Sequence, residues 1–128
     1  MARRRFDATL AAIADARRWT AGLVDDQPEH IRDTVALVVS ELCTNALVYA
    51  SSGFDLQAER SEEALLVEVG DDGAGAPQLR DASPVEPHGR GLRIVDELAS
   101  DWGVIAAGGA GKVVWARIDL DGARSTSI

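Results

Sequence analysis

Three separate segments of the chain carry residues whose types and spacing could bind or activate a ligand. The first contains Glu41 and Asn45, four residues apart within a stretch that is apolar nearly all round. On a helix, their side chains would project from one face, one turn apart. A carboxylate or amide buried there needs a compensating partner, such as a cation, a hydrogen-bond network or a polar ligand. A helix edge facing water would remove that need, and the spacing leaves both interpretations open.

The second segment lies just after a predicted strand. Asp71 offers a carboxylate acceptor, and Gly73 and Gly75 would let the backbone approach a ligand closely. Because Asp-Gly pairs are also common in ordinary turns, this segment is ambiguous when it is taken by itself.

The third segment is the run Gly89-Arg90-Gly91-Leu92, which leads into a predicted helix. Backbone N–H groups and the positive end of the helix dipole favour an anion at such a junction, and the arginine adds positive charge. A dinucleotide-binding fingerprint is excluded, because Ile94 stands where that motif requires a third glycine.

Other reactive side chains have simpler interpretations. Cys43, inside the apolar stretch, is predicted to be an inert core residue, and His30 and His88 are predicted to lie at the surface. These residues also allow a weak interpretation as a metal-dependent hydrolase that uses Asp71, Asp72 and His88, although no metal-ligand spacing supports it.

Helical periodicity and strand alternation predict the elements that position these segments. Helices are predicted over Thr9–Val24, from Pro28 to about Ala50, and over Gly91–Ser100; strands are predicted over Arg3–Ala8, Phe54–Arg60, Ala64–Gly70, Trp102–Ala107 and Lys112–Leu120. A Gly-, Pro- and Asp-rich loop, Asp71–Arg90, separates the first hairpin from the third helix. This order predicts an α+β fold, a two-layer sandwich with helices packed on one face of a mixed, mostly antiparallel sheet.

Composition limits the partners and the location of the protein. A chain of 128 residues with 46% hydrophobic and 27% charged residues suits one domain, predicted over residues 1–120 with a flexible tail over 121–128. The formal charge of −8 argues against nucleic acid as a direct partner. One cysteine, no apolar run of about 18 residues and no cleavable leader pattern predict a cytoplasmic protein that does not enter a membrane.

Taken together and in this order, the three segments resemble the three ATP-binding boxes of the GHKL superfamily. The chain is most similar to the small single-domain branch, the anti-sigma factors and serine protein kinases of bacterial partner-switching systems. The resemblance extends from about Arg5 to Leu120 and includes the closing strand Gly111-Lys112-Val-Val-Trp115. It implies a Bergerat-type ATP-binding fold with ATP and Mg²⁺ as ligands.

The resemblance also assigns roles to individual residues. Asn45 would coordinate Mg²⁺. Glu41 would act near the γ-phosphate as the catalytic base or as a carboxylate that orients water, and in a kinase it would take the proton of a substrate serine. Asp71 would accept a hydrogen bond from the adenine amino group, with Gly73 and Gly75 close to the base. Backbone N–H groups of the segment formed by Gly89, Arg90, Gly91 and Leu92 would surround the phosphates. The chain departs from many members at Gly111-Lys112, where those proteins have Gly-Thr.

The function implied by this resemblance is that of an ATP-binding anti-sigma regulator. Such a protein phosphorylates a serine of an anti-sigma antagonist protein and sequesters a sigma factor, and the resemblance also suggests a homodimer. The alternative is a nucleotide-dependent protein-binding module with little or no kinase turnover. Arg17 and Arg18 on the first helix, which could meet an acidic partner, motivate that alternative.

Overall fold

The helices and strands follow the predicted order. The computed structural model describes residues 2–49, 53–71, 87–106 and 112–120; the predicted tail and the segment with Gly73 and Gly75 lie outside these ranges. The described elements are β1 (Ala2–Phe6), α1 (Leu10–Ala21), α2 (Glu29–Tyr49), β2 (Phe54–Arg60), β3 (Ala64–Asp71), α3 (Pro87–Leu98), β4 (Asp101–Ala106) and β5 (Lys112–Asp119).

The strands form one five-stranded sheet in the order β1-β2-β3-β5-β4. All four described strand pairings are antiparallel. Along the inner strands, alternate side chains are buried beneath the helices, as at Leu56, Val67 and Val114, whereas Glu59 and Arg117 point to solvent. The α+β prediction, with helices on one face of a largely antiparallel sheet, is therefore confirmed.

Helix α2 is the central element of the core. Pro28 precedes it and Glu29 begins it, which suits a helix start because proline needs no N–H partner there and glutamate complements the dipole. Its buried apolar side chains recur every three or four residues, at Val35, Val38, Val39, Leu42 and Ala46. The helix consequently packs against β3 and β5 on one side and against α1 and α3 on its flanks.

Helix α1 begins at a side-chain cap. The Thr9 hydroxyl accepts a hydrogen bond from the Ala12 backbone N–H at 3.2 Å, which satisfies one of the donors that a helix start leaves unpaired. Before β2, Gly53 has a φ of 129°, and an added Cβ would lie 2.5 Å from the Phe6 carbonyl oxygen. Glycine is therefore required where the chain enters the sheet beside β1.

The third helix begins four residues earlier than the sequence predicts. The sequence predicts a start at Gly91, where a glycine pair leads into the helical pattern. The structure begins it at Pro87, since proline is well suited to a first helical position and fixes φ near the helical value. At its other end, the indole Nε1 of Trp102 donates a hydrogen bond to Asp96 at 2.7 Å, which joins α3 to β4.

An ion pair holds the α1–α2 connection against the end of β2. The Arg60 guanidinium donates hydrogen bonds to both carboxylate oxygens of Asp26, at 2.6 and 2.8 Å, and to the Leu23 carbonyl at 2.6 Å. These hydrogen bonds hold the pKa of the Asp26 carboxyl well below its usual range. The bidentate geometry fixes both partners, although both remain partly open to solvent.

The remaining predictions about the core are also confirmed. Cys43 is fully buried, and burial raises the pKa of its thiol to about 12, so it is an inert core residue. His30 is exposed at the start of α2, as predicted.

Within the described ranges, no helix is long and apolar enough to cross a membrane.

We expect Leu42→Ala to lower the free energy of unfolding by about 2–5 kcal/mol, because Leu42 is fully buried and its truncation leaves a cavity. Leu37→Ala is the matched control on the same helix, since Leu37 is 44% exposed and should change stability by less than about 0.5 kcal/mol. Urea denaturation measures both variants. Equal losses would contradict the assignment of the buried face of α2.

We expect Asp26→Asn to lower stability at pH 7 and to make little difference in acid. Because folding lowers the pKa of Asp26, the stabilisation is present above the unfolded value of about 3.9 and is lost as the pH falls below it. Urea midpoints from pH 7 to pH 2 should therefore converge for the wild type and the variant. Asp33→Asn, which removes an exposed aspartate from α2, should show no comparable pH-dependent difference.

Candidate functional site

Asn45 brings an amide into the apolar interior without a partner. Its residue is 2% exposed, and neither Oδ1 nor Nδ2 has a hydrogen-bond partner. Across the described part of the chain, these are the only buried side-chain polar atoms in that condition. Leaving a buried polar group unsatisfied costs about 1–3 kcal/mol. The fold therefore retains a group that a purely structural position would not favour, and a polar ligand or hydrated cation would satisfy it.

Glu41 lies one turn before Asn45 on the same face of α2 and is half-buried. The pair therefore extends from the interior toward a more accessible edge. The interpretation in which both side chains face water at a helix edge is wrong for Asn45, because neighbouring helices and the sheet enclose this part of α2. A carboxylate at the accessible end and an amide at the buried end can act on the same ligand.

Asp71 is the last residue of β3 and lies directly opposite Lys112, the first residue of β5. The Lys112 Nζ donates to Asp71 Oδ2 at 2.5 Å, and the two side chains are 2% and 1% exposed. Both belong to the helix-facing set of alternating residues, together with Val69 and Val114. Asp71 is thus a buried carboxylate whose charge is compensated by a lysine.

The sequence shows a departure from Gly-Thr at Gly111-Lys112 but does not predict that Lys112 pairs with Asp71. The alternation of the strand does predict that Lys112 is buried. Lys112 occupies the same alternate positions as Val114, Ala116 and Ile118, whose side chains face the core. On that buried face, a lysine requires an anionic partner. The sequence does not reveal which carboxylate lies opposite, since that depends on how β3 and β5 pair.

The glycine segment lies within the first turns of α3. Gly89, Arg90 and Gly91 are helical, and the Leu92 side chain packs against the core. With the helix starting at Pro87, the backbone N–H groups of Gly91 and Leu92 fall where an α-helix directs them to carbonyls four residues earlier. In this conformation, the donors available to an anion belong to the residues around Gly89. The predicted phosphate contacts of all four residues stay a prediction.

The elements that carry the three segments are neighbours. Helix α2, with Glu41 and Asn45, packs against both β3, which ends at Asp71, and α3, which begins with the glycine segment. Because β3, β5 and α3 all adjoin α2, elements that are distant in sequence pack around one helix. The contacts of Gly73 and Gly75 with this region lie outside the described ranges.

The single amide of Asn45 suits a magnesium ion that is bound mostly by water and phosphate oxygens. It does not suit a metal ion that is bound entirely by protein side chains. In the described residues, no three His, Cys, Asp or Glu side chains are grouped so as to hold a metal ion. Magnesium prefers oxygen donors, keeps several waters and is usually bound by one or two protein groups together with substrate phosphates. Of the residues proposed for a metal-dependent hydrolase, Asp71 is paired with Lys112, and Asp72 and the side chain of His88 lie outside the described ranges.

Comparison with known proteins identifies the family. The family model described as histidine kinase-like ATPase domain matches residues 6–118, and the chain belongs to this family. The family implies ATP as the ligand, and it agrees with the resemblance to the GHKL superfamily. Comparison with curated proteins gives no match.

Solved structures support the same fold. A chain of the SiaB–SiaC complex from Pseudomonas aeruginosa aligns with a TM-score of 0.65 and 12% identity, over 92% of this chain and 89% of that one. The histidine kinase AdeS of Acinetobacter baumannii aligns with a TM-score of 0.53 and 14% identity, over 94% of this chain and 68% of that one. At these identities, the similarity concerns the fold.

We expect Asn45→Leu to leave the ligand-free protein as stable as the wild type or to stabilise it by up to about 1–3 kcal/mol, because the change removes an unsatisfied buried amide. Urea denaturation without nucleotide or magnesium measures this effect. Thr44→Leu, an apolar substitution at the adjacent exposed position, should leave stability nearly unchanged. A loss of more than about 2 kcal/mol in Asn45→Leu alone would show that the amide has a structural role.

Proposed function

We propose that this protein is an ATP-dependent serine kinase and anti-sigma regulator of a bacterial partner-switching system. In this proposal, it phosphorylates a serine of an anti-sigma antagonist protein and captures a sigma factor in the cytoplasm. The observation that supports it best is the unpartnered, buried amide of Asn45, one turn from Glu41, in a histidine kinase-like ATPase domain. Those two groups provide a ligand for magnesium and a carboxylate for proton transfer.

Asn45 would hold the magnesium ion through its amide oxygen, together with phosphate oxygens of ATP. When bound, magnesium neutralises charge on the phosphates and orients them. The Asn45 side chain is well suited to this role, because its burial fixes it in place before the ligand arrives. The amide Nδ2 can donate to an adjacent ligand oxygen at the same time.

Glu41 would act on the substrate hydroxyl. As the serine oxygen forms its bond to the γ-phosphorus and the bond from that phosphorus to ADP breaks, the serine proton passes to the Glu41 carboxylate. The half-buried position of Glu41 suits a group that must meet an incoming protein substrate while belonging to the nucleotide site. Asp71 would accept from the adenine amino group, and the glycine segments would lie against the base and the phosphates.

A protein partner is supported by the fold and by the surface. One of the similar structures is a chain within a two-protein complex. On α1, the exposed side chains of Arg17 and Arg18 add a basic patch to a protein with a formal charge of −8. Arg17 reaches Ser40 on α2, and Arg18 pairs with Asp15. We assign this face to the protein partner and propose a homodimer as the functional unit.

These arginines also motivate the second candidate, a nucleotide-dependent binding module with little or no turnover. In that case, ATP shapes the partner surface and Glu41 is dispensable. The two candidates differ in one respect that can be measured, namely whether removing the Glu41 carboxylate abolishes phosphotransfer that the wild type performs.

We expect Glu41→Gln to reduce phosphotransfer by a factor of about 10²–10⁴, because the variant keeps the size of the side chain but cannot accept the proton. Labelled ATP, magnesium and a purified candidate antagonist encoded beside the gene provide the assay. Calorimetry should show ATP affinity changed by less than about tenfold, since binding depends mainly on other groups. Glu63→Gln, the same substitution in the exposed β2–β3 turn, should behave as the wild type.

Serine labelling by Glu41→Gln at the wild-type rate would contradict the catalytic role. If the wild type binds ATP and captures its partner without labelling it, the binding-module candidate is correct. Failure of the wild type to bind ATP with magnesium would overturn both candidates.

A further inference from the structure

The Asp71–Lys112 pair is an ionic contact within an otherwise apolar layer. Around it, the helix-facing side chains of β3 and β5 are Leu65, Val67, Val69, Val114, Ala116 and Ile118, all buried. Replacing a buried ion pair by well-packed apolar residues is often neutral or stabilising, whereas removing one partner is strongly destabilising. Packing therefore does not explain why this register position carries two opposite charges.

The position of the pair does suggest a role. It lies where β3 ends and β5 begins, and Ala106, the last residue of β4, is opposite Lys112 on the other side. Three strand ends thus meet at this point of the helix-facing surface. If Asp71 accepts a hydrogen bond from a purine base, as the proposed function holds, Lys112 is the cation that fixes the accepting carboxylate.

Two consequences follow from that contact. The lysine places a compensating positive charge beside a side chain that is 1% exposed, and a carboxylate paired in this way offers only acceptor atoms to a ligand. The contact at Oδ2 also restricts rotation of the carboxylate. A carboxylate has about four lone-pair sites, so a contact with a lysine does not by itself exhaust its capacity to accept hydrogen bonds.

We propose that Lys112 is a positioning residue that sets the base preference of the nucleotide site, selecting a 6-amino purine over a 6-oxo purine. This inference rests on the proposed function, which assigns Asp71 to the base. A fixed, acceptor-only carboxylate is complementary to an exocyclic amino group and repels a carbonyl oxygen at the same position. Without the lysine, the buried carboxylate loses a compensating charge and a contact that restrains it, and each loss weakens that selection.

The test compares the affinities of ATP and inosine triphosphate, which differ at position 6 and in the adjoining ring proton. With magnesium present, calorimetry should show the wild type preferring ATP by about tenfold or more, since a hydrogen bond to a charged group is worth at least that factor. Lys112→Met should bring the ratio of the two affinities close to one. Lys112→Arg, which keeps the positive charge, should retain most of the preference.

The matched control is inorganic triphosphate, which has no base. Its affinity should be the same in the wild type and in Lys112→Met, because Lys112 acts at the opposite end of the ligand. A structural defect that loosened the whole site would instead weaken all three ligands together. Circular dichroism establishes which variants are folded before their affinities are compared.

The double variant Asp71→Asn/Lys112→Gln tests the same point if the loss of charge alone unfolds Lys112→Met. It replaces the ion pair by two amides and leaves no uncompensated buried charge. Because an amide can donate as well as accept, the double variant should bind ATP and inosine triphosphate about equally. An unchanged preference for ATP in a folded Lys112→Met protein would overturn the inference and leave the proposed function intact. An unchanged preference in the double variant would overturn the inference and also contradict the assignment of Asp71 to the base.

A wild-type protein that binds ATP and inosine triphosphate equally would overturn the selection by Lys112 while ATP binding itself stood. A wild type that binds neither nucleotide would overturn the proposed function first. The failures of the two proposals are therefore distinguishable in one set of titrations.

Discussion

The structure depends on how one long helix is buried while it carries polar groups into the interior. Helix α2 provides much of the apolar core, yet the amide of Asn45 lies within that core without a hydrogen-bond partner. Water would satisfy the amide if the helix turned outward, but the packing of Val38, Leu42 and Ala46 against the sheet prevents that rotation. The same packing that stabilises the fold therefore holds in place the amide that we propose as a ligand-binding group.

The two buried polar groups of the proposed site, at Asn45 and Asp71, differ in whether the protein itself provides a partner. At Asn45, the polar group has no hydrogen-bond partner, and a ligand bound as proposed would reduce that cost and stabilise the fold. At Asp71, the protein supplies its own compensation through Lys112, so the charge is tolerated without a ligand. The structure thus shows one buried polar group without a partner and one whose charge is compensated by a neighbouring lysine.

The comparisons and the geometry give a consistent account of the class of protein. The histidine kinase-like ATPase family matches nearly the whole described fold, and the similar solved structures share its architecture at low identity. Residues that the resemblance assigned to magnesium and to the base occupy buried positions on α2 and at the end of β3. Interactions away from this region, such as Asp26–Arg60 and Trp102–Asp96, fix the connections around the core.

The sequence by itself determined the order and type of the elements, because helical periodicity and strand alternation are local patterns. It also indicated which three segments carry candidate site residues and that Cys43 would be buried. The start of α3 at Pro87 agrees with the local preference of proline for a first helical position, although two glycines follow it. Tertiary structure alone decided that Asn45 lacks a partner and that Lys112 meets Asp71, 41 residues away in sequence. The physical reason is that partners across a sheet and beneath a helix depend on register and packing, which no short stretch of sequence specifies.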